Sequence, residues 1–223
     1  MPGFALDPEA DLLLVVDPQP TFMELCPDEL PVPGAAAVIP VINRILAGPI
    51  ARAVVTQDWH HPQHLSFASQ HPGRAPLDLV DLPYGRQVLW PNHGVRGTPG
   101  AAVHPGLDQS KVVLLLRKGF RRGIDSYSGF RENDRRTGTG LAEWLRAVGV
   151  RRLFITGITR PYCVDWTAED AAALGFDTWV VEDACSRLGA QDALDASRAR
   201  LAAQGIRFTN AAALGGRPSG ENA

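Results

Sequence analysis

Unbroken apolar runs rich in β-branched residues recur along the chain: LLLVVD (12–17), ARAVVTQD (51–58), KVVLLLRKG (111–119), RRLFITG (151–157), DTWVVED (177–183) and IRFTN (206–210). Runs without polar alternation are the pattern of strands covered on both faces, as in buried parallel sheets. Between them the period changes. Val38, Val41, Ile42 and Ile45 follow helical spacing, as do Leu141, Trp144, Leu145 and Val148 with Gly149 as the stop; Leu174-Gly175 closes a third helix behind Cys163. Pro40 fits the first of these helices only in its first turn, where its missing N–H costs no intrahelical bond. Strand, helix, strand, repeated, predicts an α/β sandwich. The tail GGRPSGENA (215–223) is expected to fray.

One segment breaks the rhythm. From Trp59 to Ser110 the chain is rich in Pro, Gly and His without clear periodicity, far beyond the usual connection of about 4–6 residues. All six histidines fall inside it, from His60 to His104, together with Trp59, Phe67, Tyr84 and Trp90. Disordered segments are poor in aromatics, so an ordered loop that builds a site is expected at about 58–110.

Composition narrows the choice of ligand. The chain has 223 residues, 45% of them apolar and 21% charged, with a formal charge of -2, which favours neither nucleic acid nor an anionic membrane as a partner and leaves a small molecule. One domain spanning 1–223 is expected from the length. The N-terminus lacks a basic segment and a cleavage site, and no apolar run approaches the roughly 18 residues of a membrane span, so a cytoplasmic protein is expected. Three cysteines, Cys26, Cys163 and Cys185, make an odd count that argues against a disulfide framework and leaves room for a reactive thiol.

Ligands of open parallel sheets sit beyond the carboxyl ends of the strands, so polar residues directly after apolar runs matter most. Asp17, Asp58, Lys118 and Cys163 qualify. Singly, each has a plain reading: a turn aspartate before Pro18, a solvated lysine at a strand end, a small buried thiol. Jointly, an acid, an ammonium and a thiol are complementary parts of a nucleophilic device. A free cysteine with a pKa of about 8.5 is mostly protonated at neutral pH, and a nearby ammonium and a helix N-terminus are expected to lower that value. Asp17 would accept the thiol proton and pass it to a departing amine, a division of labour that suits amide hydrolysis. Asp58 and His60 lie two apart beyond a strand, with His93 as the choice for a third ligand. Such a set suits zinc, iron or manganese, and donor softness does not choose among them. His64 stands as a group behind these ligands or a ligand through water; His61, His71 and His104 are read as ordinary loop residues.

Taken together, DPQPTF (17–22), QDWHHPQHLSF (57–67), LWPNHGVRGTPGA (89–101), RKG (117–119), DSYSGF (125–130) and GITRPYCV (157–164) resemble the nicotinamidases of the isochorismatase-like cysteine hydrolase superfamily, in the family's order and over nearly the whole chain. The resemblance implies a three-layer α/β/α sandwich around a six-stranded, mainly parallel sheet. It implies an Asp17-Lys118-Cys163 triad and one divalent transition metal on Asp58, His60 and His93. A pocket of Phe22 and Trp90, with Tyr127 as a further lining residue, would hold nicotinamide, its pyridine nitrogen on the ion. The backbone amides of Thr159 and Cys163 would form the oxyanion hole, with a non-proline cis bond between Ile158 and Thr159. The implied reaction is hydrolysis of nicotinamide, and of pyrazinamide, through a cysteine thioester; a homo-oligomer stays open. The alternatives are an amidase of the same superfamily acting on a carbamoyl or ureido substrate, and a non-catalytic binding member.

The chain departs from the family pattern at 159–161, which reads Thr-Arg-Pro in place of Ala-Thr-Asp. Pro161 removes an N–H that neither oxyanion donor needs and is expected in the first turn of the helix that follows. Arg160 is read as a solvated arginine on the rim. Arg121, Arg122, Arg131, Arg135 and Arg136 are read as a solvated or subunit-contact surface, and Cys26 and Cys185 as structural or free.

Overall fold

The computed structural model describes residues 4–215, so the expectation for the tail beyond Gly215 lies outside the described residues. Among the described residues eight strands are formed: β1 (Asp11–Val16), β2 (Ala53–Asp58), β3 (Leu79–Leu82), β4 (Gly85–Val88), β5 (Val112–Lys118), β6 (Arg152–Arg160), β7 (Asp177–Arg187) and β8 (Arg207–Thr209). Four helices accompany them: α1 (Val38–Ala47), α2 (Leu141–Ala147), α3 (Cys163–Ala173) and α4 (Gln191–Ala203). Six strands make one sheet in the order β5-β2-β1-β6-β7-β8, and its neighbours all pair in parallel.

The pleat sorts the core. Leu12, Leu14 and Val16 of β1 point into an apolar cluster with Leu145 of α2, Val164 and Ala168 of α3 and Leu201 of α4. Leu13 and Val15 point the other way, against Ile42 and Ile45 of α1 and Leu214 of a short terminal turn. Helices therefore cover both faces, giving the three-layer α/β/α sandwich, and the unbroken apolar runs reflect strands buried on both sides. Pro40 occupies the first turn of α1.

Three features differ from the sequence expectation. β5 is an edge strand, and its Val113 and Leu115 are 54% and 42% exposed, because the connection from β2 to β5 supplies no helix over that part of the face. The long segment contains an antiparallel hairpin, β3 with β4, whose largely exposed side chains carry little apolar alternation. α4 went unrecognised because its buried stripe is thin, only Leu194, Ser197 and Leu201. Among the described residues no helix is long and apolar enough to cross a membrane.

The strand order reverses between β1 and β6, since β1 leads through α1 to β2 on one side and β6 leads through α3 to β7 on the other. The loops diverge there and leave a crevice beyond the carboxyl ends of the two strands. Gly157 keeps β6 close at that point. Its φ is +115°, and a Cβ on it would stand 2.1 Å from the Val16 carbonyl oxygen.

Candidate active site

Asp17 is the first residue after β1, and Cys163, six residues beyond Gly157, is the first residue of α3; both lie at the carboxyl ends of β1 and β6, and Cys163 lines the cavity there. Lys118 closes β5 and reaches across β2 to meet them. Its Nζ lies 2.8 Å from Asp17 Oδ2 and 2.6 Å from Asp58 Oδ1, donates to the Ser126 carbonyl at 2.8 Å and stands 3.6 Å from Cys163 Sγ. Carboxylate oxygens of Asp17 and Asp58 and the Cys163 sulfur all lie within 4.8 Å of one another. Three chain-distant groups thus meet at buried positions, and Thr56 Oγ1 donates to Asp17 Oδ1 at 2.6 Å to fix the acid.

Burial raises the Asp17 pKa to about 6, against the pull of Lys118. Burial also acts on Asp58, but Lys118, His60 and His93 outweigh it and hold that carboxyl below the usual range. Lys118 loses its charge less readily than an ordinary lysine: burial opposes the ammonium, and the two carboxylates prevail. Cys163 moves in the direction opposite to the sequence expectation. Burial, reinforced by Asp17, Asp58 and Asp125, pushes its thiol well above the ordinary value, and Lys118 compensates only in part. The ammonium is already neutralised by two carboxylates, so the sulfur rests as a thiol beside a carboxylate poised to take its proton.

Asp58, His60 and His93 also converge. Asp58 Oδ2 lies 3.6 Å from His60 Nε2 and 3.8 Å from His93 Nε2, and one donor atom from each residue falls within 4.8 Å of the others. His60 Nδ1 is 2.9 Å from the Gly119 carbonyl and His93 Nδ1 is 2.8 Å from the Pro91 carbonyl. A carbonyl accepts only from N–H, so each ring carries a proton on Nδ1 and turns Nε2 toward the carboxylate; burial opposes charge on His60, but Asp58 outweighs it and raises the pKa of that ring. Two imidazoles presenting Nε2 and one carboxylate aimed at one point fit a divalent transition metal, which would take both rings in the neutral form, with the backbone holding the Nδ1 protons. Gly119 is required here, because a Cβ on it would stand 2.4 Å from the His60 ring. Gln19 secures Asp58 by accepting from its amide at 2.8 Å and donating to its carbonyl at 2.9 Å.

His64 stands behind His60, with ring centroids 4.4 Å apart. Its Nδ1 is held by Ser66 Oγ at 2.7 Å and its Nε2 faces the Ile124 carbonyl at 3.2 Å, so both nitrogens are engaged. A donor set of His60, His64 and Asp125 also falls within 4.8 Å. His61, His71 and His104 join neither group.

A cavity opens against Cys163, Asp58 and His93. Phe22, Trp90 and Tyr127 line it, and so do Leu30, Tyr162 and Leu188, which the sequence did not single out. Trp90 Nε1 and Gln87 Nε2 each donate to the Tyr127 hydroxyl at 2.9 Å, and Trp90 meets Tyr162 edge-on at 5.0 Å. Asp125 was also missed as a lining residue; it is buried and held by the Ser126 amide and Gln87. Its signal was its place at the head of the DSYSGF stretch, masked by the nearby arginines.

Two expectations at the elbow before Cys163 are corrected. Ile158–Thr159 is cis as expected, but Arg160–Pro161 is cis too, and Pro161 stands outside α3, which begins at Cys163. Arg160 is no rim residue. It is 3% exposed and paired with Asp165, because β6 continues through Arg160 and turns its side chain inward. Of the loop arginines, Arg121 pairs with the buried Glu132 and Arg135 with the buried Asp170, anchoring this loop from half-exposed positions. Cys26 and Cys185 are free, and Cys185 is buried.

Comparison with known proteins agrees with this geometry. Residues 11–213 match the isochorismatase domain model. A nicotinamidase of Acinetobacter baylyi is 45% identical over 195 residues, covering 87% of this chain and 90% of the relative. A solved nicotinamidase/pyrazinamidase of Acinetobacter baumanii superposes with a TM-score of 0.89 at 41% identity, over 94% of this chain and all of that one. A pyrazinamidase of Pyrococcus horikoshii, solved in complex with zinc, gives 0.71 at 31% identity over 91% and 99% of the two chains. The chain belongs to the isochorismatase-like hydrolase family.

Proposed function

We infer that the protein is a nicotinamidase that hydrolyses nicotinamide to nicotinate and ammonia and also accepts pyrazinamide. The observation that carries the reading is the meeting of Asp17, Lys118 and Cys163 beside an Asp58, His60 and His93 donor set, with Cys163, Asp58 and His93 lining one aromatic pocket. The likeness to nicotinamidases over most of the chain supports it.

In the proposed reaction Cys163 Sγ attacks the carboxamide carbon while its proton passes to Asp17, whose pKa of about 6 suits a base at neutral pH. The amides of Thr159 and Cys163 receive the developing oxyanion, a contact worth about 3–4 kcal/mol per donor. Asp17 returns the proton to the departing nitrogen, ammonia leaves and a thioester remains. Asp17 then takes a proton from water as it attacks the thioester carbon, and that proton goes back to sulfur as nicotinate departs. Lys118 keeps Asp17 and Asp58 in place and offsets negative charge on sulfur during attack.

Asp58, His60 and His93 would hold the divalent metal, zinc, iron or manganese, and when bound it supplies a Lewis-acid face for the ring nitrogen. Phe22 and Trp90 clasp the ring and Tyr127 sets the angle of Trp90, so the pocket's work is orientation. His64 steadies His60 from behind.

Ammonia release from nicotinamide by the metal-loaded protein tests the reading. Wild type is expected to turn over and Cys163→Ala to lose at least about a thousandfold in kcat. Turnover retained in Cys163→Ala would remove the mechanism, and none in wild type would favour a carbamoyl or ureido substrate.

A further inference from the structure

Arg160 sits in a buried network outside the reaction site. Arg160 lies at the end of β6, one residue after Thr159, while Asp165 lies in the first turn of α3, two residues after Cys163. Arg160 Nε donates to Asp165 Oδ1 at 2.7 Å, and its NH2 group lies 3.5 Å from Oδ2. Ser197 of α4 donates to that same Oδ2 at 2.6 Å. Farther out, Arg160 reaches Glu182 of β7 at 3.4 Å, and Arg198 of α4 donates to the same Glu182 oxygen at 2.9 Å. The guanidinium lies 5.4 Å from the centre of the Phe208 ring. Arg160, Asp165 and Ser197 are all at least nine-tenths buried.

We propose that Arg160 is a positioning residue that pins the end of β6 to the first turn of α3 and so fixes the spacing of the Thr159 and Cys163 amides. The inference rests on the amidase reading above. Those two donors belong to different elements, strand and helix, and their separation depends on the elbow between them. Inside that elbow the Tyr162 amide bonds the Thr159 carbonyl at 3.0 Å, and the Leu188 amide holds the Arg160 carbonyl at 2.8 Å. The Arg160–Asp165 pair spans the elbow from strand to helix, and Ser197 stops the carboxylate from turning. A planar guanidinium contacting both carboxylate oxygens constrains direction as well as distance. Its charge is matched by Asp165 and Glu182, so its effect on catalysis is geometric.

Three variants, Arg160→Ala, Arg160→Lys and Ser197→Ala, test this. The alanine at 160 leaves a buried carboxylate without its cation, so Ser197→Ala serves as the milder perturbation that keeps both charges. A misplaced oxyanion donor should lower kcat by about 10- to 100-fold in Arg160→Ala and by about 3- to 10-fold in Ser197→Ala, with the lysine between. Nicotinaldehyde, which forms a tetrahedral adduct on the thiol, should lose affinity in step with kcat, while affinity for nicotinate stays within about twofold. A protein that merely loses folded molecules would show neither split. Amide hydrogen exchange supplies a substrate-free arm: protection over 158–164 should fall in Arg160→Ala while the strands keep theirs. Unchanged exchange in that stretch, or kcat and aldehyde affinity within twofold of wild type in both alanine variants, would overturn the proposal. Wild type without nicotinamide turnover would sink the amidase reading, and exchange alone would then judge Arg160.

Discussion

Lys118 shows how a residue's neighbours decide its chemistry. An ammonium near a thiol suggests a thiolate, yet this one also lies within 2.8 Å of two buried carboxylates, and the thiol rises in pKa. The proton that matters in the accessible range is then on Asp17. The carboxylate form is the active base, so kcat/KM should fall about tenfold per pH unit below pH 6 and be level from about 7 to 9. A pH–rate profile that climbs between 7.5 and 9, as for a free thiol near 8.5, would contradict this assignment. Asp17, Asp58, Lys118 and Cys163 were legible as candidates from strand ends and His60 from its spacing to Asp58, whereas His93 was a choice among the loop histidines. Leu30, Tyr162 and Leu188 were not, since an apolar side chain facing a cavity has the same sequence signal as one facing the core.

Elements carry these residues to their positions. β6 was legible to Gly157 but runs on to Arg160, because its last residues are held by pairing with β7 rather than by an apolar pattern. Gly157 lies directly against Val16 of β1 at the crevice. Gly157→Ala would combine a left-handed φ with a side chain driven into Val16 and should cost about 2–5 kcal/mol, read as a lower denaturation midpoint in urea. A variant as stable as wild type would mean that the two strands separate more easily than their pairing suggests. α4 and the β3–β4 hairpin escaped prediction for a shared reason: their identity lies in what they pack against or pair with, and their own hydrophobic pattern is thin.

At the scale of the molecule, reversal of strand order between β1 and β6 opens the crevice in which thiol and donor set face one pocket. Orientation of the ring is assigned to the donor set and bond-breaking to the thiol, two groups that adjoin through Asp58 and Lys118. Chelation should raise KM for nicotinamide by about tenfold or more while iodoacetamide still alkylates Cys163 at a rate within about threefold of the metal-loaded protein. Equal loss of both properties on chelation would show that the donor set supports the thiol itself. The same architecture leaves β5 at the sheet edge with Val113 and Leu115 uncovered, although its sequence reads as an interior strand.

By itself the sequence determined the alternation of strands and helices, the chemistry ending each strand and the motifs that carry family membership, because period and residue type are local properties of a chain. Tertiary structure alone decided that Lys118 serves two carboxylates, that Cys163 keeps its proton and that Arg160 turns inward to Asp165. Charge state and orientation depend on distances of a few ångströms between residues far apart in the chain, and those distances exist only after the sheet has formed.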